Sequence, residues 1–134
     1  MNCVGNIKSV CNLPAVSIFT RDTHGEDYLS TPEGKKLPVV HCVKNTHGWQ
    51  IADGLDVPDA IHIDKPSFGY THWDKFCFEK IELVGLCTDI CVVSNALILK
   101  AHFHCCEGGI VGFGGYAGTA SRINADFSVR EKCL

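Results

Sequence analysis

The segment Ile81–Lys100 constrains this chain more than any other. Ile81 to Leu86 is a short apolar run broken by one charge, Glu82, and reads as a buried strand. Val92, Ala96, Leu99 and Phe103 then recur at helical spacing and share one face. Between the two, Thr88-Asp89 reads as a helix N-cap. Cys91 therefore falls in the first turn of a helix that directly follows a strand. There the positive end of the helix dipole and unpaired backbone N–H groups favour the thiolate, the reactive form of the side chain. From position alone Cys91 is equally readable as a small buried apolar residue.

Val84-Gly-Leu-Cys-Thr-Asp-Ile-Cys-Val92 resembles the nucleophile motif of the isochorismatase-like cysteine hydrolases, and within them the nicotinamidase branch. The resemblance implies a three-layer α/β/α fold with a mostly parallel sheet. It also implies hydrolysis of the C–N bond of a small carboxamide such as nicotinamide, releasing ammonia through a thioester. Carried over, Cys91 is the nucleophile and Leu86–Cys87 is a non-proline cis peptide. The N–H groups of Cys87 and Cys91 would form the oxyanion hole.

The chain has 134 residues, is 46% hydrophobic and 20% charged, and carries a net charge of −3. That is enough for one domain with a modest core. It gives no electrostatic case for nucleic acid or an anionic membrane. No apolar run approaches the roughly 20 residues of a spanning helix, and the start does not read as a signal peptide. Nine cysteines is an odd number without a Cys-x-x-Cys pair. The expectation is a cytoplasmic protein with mostly free thiols and no structural zinc knuckle.

Along the chain, residues 1–15 are weakly patterned. Val16–Thr20 reads as a strand, and Arg21–Tyr28 as a polar loop at its C-terminal end, the edge where open α/β sheets gather ligands. Thr31-Pro-Glu-Gly34 is turn-like. Gly48–Leu55 suggests a helical turn, Ala60–Ile63 a second strand, and Thr71–Lys80 a short helix with Trp73, Phe76 and Cys77 on one face. Strands separated by helical patterns argue for a parallel sheet. Residues 16–103 form the α/β domain on this reading, and residues 104–134 an atypical tail. Within that tail, Gly108–Gly118 reads as a loop and is a poor phosphate-binding candidate, because its Gly-x-Gly lacks the full dinucleotide spacing.

Two further groups carry chemistry. Asp22 and His24 point the same way on an extended segment, with Glu33 and His41 following; two imidazoles and two carboxylates suit a divalent ion. Surface Asp and His also occur together without one. Thr20-Arg-Asp-Thr-His24 and Leu37-Pro-Val-Val-His-Cys-Val-Lys-Asn-Thr-His-Gly-Trp49 resemble the metal-loop region of the nicotinamidase branch. That resemblance implies zinc, iron or manganese on Asp22, His24 and His41, with Glu33 fourth, because Tyr28 stands where many members have a histidine. Lys65, in Ile63-Asp-Lys-Pro-Ser-Phe-Gly-Tyr-Thr71, reads from position alone as a solvated lysine, and by resemblance as the catalytic lysine. Phe68 and Trp49 would wall the substrate, or else simply pack.

The expected partner is a small-molecule amide, with a homo-oligomer compatible. The resemblance departs at both ends. The family's first strand carries a general-base aspartate, and residues 1–15 contain no aspartate or glutamate. The strand expected after Phe103 is not recognisable either. The alternative is an inactive family remnant that binds a ligand, a metal or a partner subunit.

Overall fold

The structure, a computed structural model, describes residues 15–78 and 80–103, and the backbone of Glu107–Gly112 and Ala125–Asp126. The chain divides into two compact units: Cys11–Phe68, and Gly69–Leu134 together with Met1–Val10. Residues 1–14 and 113–118 of the sequence expectations lie outside the described residues.

In the first unit, strand β1 (Ile18–Asp22) pairs in parallel with β2 (Ile61–Lys65), from Ile18 opposite Ile61 to Asp22 opposite Lys65. Both fall within two residues of the strands read from β-branched and aromatic composition. Side chains alternate across a strand, so Ile63 and Lys65 of β2 turn inward while His62 and Asp64 are exposed. The pairing continues past β1, where the Thr23 N–H donates to the Lys65 carbonyl at 2.8 Å. His24 then bridges Val43: its N–H donates to the Cys42 carbonyl at 3.0 Å, and its carbonyl accepts from the Lys44 N–H at 2.9 Å. Asp22 and His24 thus leave the same strand end on the same side.

Thr31-Pro-Glu-Gly34 does more than turn. It opens a short helix, α1 (Pro32–Lys36). The Thr31 hydroxyl accepts from the Gly34 N–H at 2.9 Å and donates to the Tyr28 carbonyl at 2.7 Å, while Pro32 stands in the first turn. Gly34 is buried, and a Cβ there would lie 2.0 Å from the Tyr28 carbonyl oxygen. Neither backbone can yield cheaply. Gly34→Ala is expected to cost about 3 kcal/mol, read as a lowered urea midpoint; an unchanged midpoint would show that α1 has room to move.

The second unit holds β3 (Lys80–Gly85), β4 (Glu107–Gly112) and β5 (Ala125–Asp126). β4 lies parallel to β3, from Lys80 opposite Glu107 to Gly85 opposite Gly112, and β5 is antiparallel to β4. This corrects the loop expected from Gly108. Glycines disfavour strands but do not forbid them, and here they lie in a parallel ladder. The expected helix at Thr71–Lys80 is also corrected. Only Trp73–Lys75 turns, as one 3₁₀ turn, and Phe76 is already extended. The aromatic rings explain the difference. Phe76 and Phe78, two apart on extended chain, stack at 5.5 Å, and Trp73 and Phe103 pack against this pair.

After β3 the chain makes a π turn, Thr88–Val92, and continues as helix α2 (Val93–His102). The expected apolar face is found: Val92, Ala96 and Leu99 are buried. Thr88-Asp89 is not the cap. The residue before the turn is Cys87, which makes no side-chain capping bond; its carbonyl accepts from the N–H groups of Ile90 and Val92 at 3.2 and 3.1 Å. Thr88 is fully buried instead, its hydroxyl without a partner. Among the described residues, no helix is long and apolar enough to cross a membrane.

Candidate functional site

The C-terminal ends of β1 and β2 put Asp22 beside Lys65 in register. Lys65 is one of the most buried side chains described, at 2% exposed. Its Nζ donates to Asp22 Oδ1 and, at 3.0 Å, to the Ser67 carbonyl. This is not a solvated lysine; burial without a carboxylate would be costly. The other carboxylate oxygen, Oδ2, lies 4.0 Å from His41 Nε2.

His41 Nδ1 lies 2.6 Å from the Val39 carbonyl. A carbonyl only accepts, so Nδ1 carries a proton, and Nε2, which faces Asp22, is the nitrogen placed to bind a metal. His24 lies beside it, ring to ring at 4.8 Å. Ligand atoms of Asp22, His24 and His41 all fall within 4.8 Å of one another. His24 Nε2 and Glu33 Oε1 are 3.7 Å apart, and both are buried with no hydrogen-bond partner. Two donors each about 2.0–2.2 Å from a common ion in tetrahedral geometry would sit about 3.4 Å apart. The donor set and its two orphaned atoms therefore fit a divalent ion.

The electrostatics agree. Burial, and then the charge of His41, lower the His24 pKa below its ordinary value, which keeps a lone pair for a ligand role. Burial pushes the Glu33 carboxyl up, while His41 and the Phe68 N–H that bonds it pull the other way. Phe68 thus touches Glu33 through its backbone.

Trp49 is tied to β1 through Arg21 and Thr23. The Arg21 guanidinium lies over its ring at 3.7 Å, its Nε1 donates to Thr23 Oγ1 at 2.8 Å, and Arg21 is itself paired with Asp64 at 2.6 Å. Arg21 and Asp22 are adjacent on a strand, so this stack is on the face of β1 opposite Asp22. Through these contacts Trp49 fastens the loop that carries His41. A strongly apolar residue in a polar loop was the only sequence signal, and it does not distinguish the two roles.

In the second unit, Cys91 sits in the π turn, directly after β3 and before α2. The Leu86–Cys87 peptide is cis. Asn95, buried at 3% exposed, fixes the turn: its Nδ2 donates to the Cys91 carbonyl at 2.8 Å and its Oδ1 accepts from the Tyr70 N–H at 2.9 Å. Gly85, before the turn, has φ of 155°, a backbone that side chains rarely adopt. Burial, and then the negative charge of Asp89, push the Cys87 thiol up, away from the thiolate.

The Isochorismatase domain family matches residues 7–104. The chain belongs to the isochorismatase family. Two solved structures carry the same fold as this family member. One is the nicotinamidase/pyrazinamidase PncA from Bacillus subtilis, with TM-score 0.61 and 19% identity, covering 84% of this chain and 67% of that one. The other is N-carbamoylsarcosine amidase from Thermoplasma acidophilum, with TM-score 0.66 and 19% identity, covering 95% of this chain and 75% of that one. No curated protein sequence matches the chain significantly. As an isochorismatase-family hydrolase with an α/β fold and parallel strands, the chain carries its distinctive residues at strand ends and in the turn before α2.

Two features escaped sequence reasoning. Thr31-Pro-Glu-Gly is a cap followed by proline in the first turn, a legible helix start that was read as a turn. Tyr28, noted only as a missing histidine, is 1% exposed and packs on both imidazoles, at 4.4 Å from His24 and 5.0 Å from His41.

Proposed function

We propose that this family member hydrolyses the C–N bond of a small carboxamide such as nicotinamide, with Cys91 as nucleophile. The reading rests chiefly on the placement of Cys91 in a tight turn between a parallel strand and a helix, within the family's motif. The Cys91 sulfur bonds to the amide carbon, the C–N bond breaks, and ammonia departs with the thiol proton. Water then cleaves the thioester, giving the carboxylic acid and the free thiol. The Cys87 and Cys91 N–H groups are assigned to the oxyanion. Lys65, dry and held by Asp22, is assigned the cation that steadies developing negative charge. Phe68 is retained as a substrate contact.

Asp22, His24, His41 and Glu33 would hold a divalent zinc, iron or manganese ion. When bound, such an ion supplies Lewis-acid chemistry and an anchor for a substrate lone pair. The residues themselves gather the Asp22, His24 and His41 donors within 4.8 Å of one another and keep the His24 imidazole dry.

Ammonia release from nicotinamide and from N-carbamoyl amides, measured with the purified full chain, tests this reading. Release from either class supports a C–N hydrolase and names the substrate class. No release from any of them favours the second reading, an inactive family member that binds a ligand, metal or subunit.

A further inference from the structure

Tyr28 stands where three ligand-bearing segments meet. Its ring contacts His24 at 4.4 Å and His41 at 5.0 Å, and those two imidazoles contact each other at 4.8 Å. Its hydroxyl donates to the Leu37 carbonyl at 3.1 Å. Leu37 ends α1, and its own N–H donates to the Glu33 carbonyl at 2.9 Å. The Tyr28 carbonyl accepts from the Thr31 hydroxyl, and Gly34 packs against it with no room for a Cβ. At 1% exposed, the side chain is one of the three most deeply buried large residues described. A residue serving only to fill space would not need its hydroxyl on the helix that carries one ligand and its ring on two others.

From this arrangement we infer that Tyr28 is a positioning residue for the metal cluster. Its ring sets the spacing of His24 and His41, and its hydroxyl sets the reach of Glu33 through the end of α1. The inference rests on the metal reading of Asp22, His24, His41 and Glu33. Tyr28 itself donates nothing to the ion.

Cobalt(II) titration of the full chain, followed by visible absorption, tests it. Tyr28→Leu, which keeps the site apolar but removes ring and hydroxyl, is expected to weaken cobalt binding about 10–100-fold and to alter the absorption bands. Tyr28→Phe keeps the ring and should largely preserve the bands, with binding several-fold weaker. Because the hydroxyl acts through Glu33, Tyr28→Phe combined with Glu33→Gln should bind no more weakly than Glu33→Gln alone. Tyr28→Leu matching wild type in affinity and bands overturns the inference, as does an additive result in the double variant. The double variant decides if Tyr28→Leu does not fold. Wild type failing to bind cobalt overturns the metal reading as well, so the two failures are distinguishable.

Discussion

Cys91→Ala is expected to reduce ammonia release by about 10⁴-fold or more, since removing a covalent nucleophile abolishes the path and leaves only binding and electrostatic assistance. Folding should be nearly untouched: Cys91 joins the turn's hydrogen bonds through its backbone, and its carbonyl still accepts from Asn95. A parallel measurement separates activation from mere presence. Iodoacetamide near neutral pH should label Cys91 ahead of Cys42 and Cys87, whose thiols burial pushes up. Comparable rates at all three, or a Cys91→Ala variant as active as wild type, would remove Cys91 from its role.

Lys65→Ala carries the largest expected loss of stability. The side chain is 2% exposed and its closest described partner is Asp22, itself only 11% exposed. Truncation leaves a largely buried carboxylate without its cation, a loss of about 3–5 kcal/mol. Against a domain stability of about 5–15 kcal/mol, that is enough to populate the unfolded chain. The double change Lys65→Met with Asp22→Asn removes both charges and should recover a large part of the loss, because the penalty lies mainly in the unpaired partner. A urea midpoint for Lys65→Ala within error of wild type would show that water reaches Asp22 and that the pair is not dry.

The strand ends were legible because they combine two signals of different period. Val16–Thr20 and Ala60–Ile63 are β-branched runs whose polar followers, Asp22 and Lys65, sit where parallel strands deliver side chains. The turn that carries Cys91 was legible for the same reason, a switch from strand to helix spacing across Thr88. What the sequence concealed came from packing. Trp73, Phe76 and Cys77 look helical in spacing, yet Phe76 and Phe78 stack on extended chain with Trp73 against them, so tertiary contact overrode the pattern. Glycine in Glu107–Gly112 masked β4, since a residue without a side chain gives no periodicity to read. Nothing in one dimension announces Arg21 above the Trp49 ring, so that stack was not legible.

Asn95 uses both ends of a neutral amide, oxygen toward Tyr70 and nitrogen toward Cys91. An aspartate in its place, whether encoded or produced by slow hydrolysis of the side chain as the protein ages, would set a carboxylate oxygen against a carbonyl oxygen. The turn bearing the sulfur would then be pushed rather than held. Chemical ageing four residues away would then disturb the turn that presents the proposed nucleophile while leaving its thiol intact.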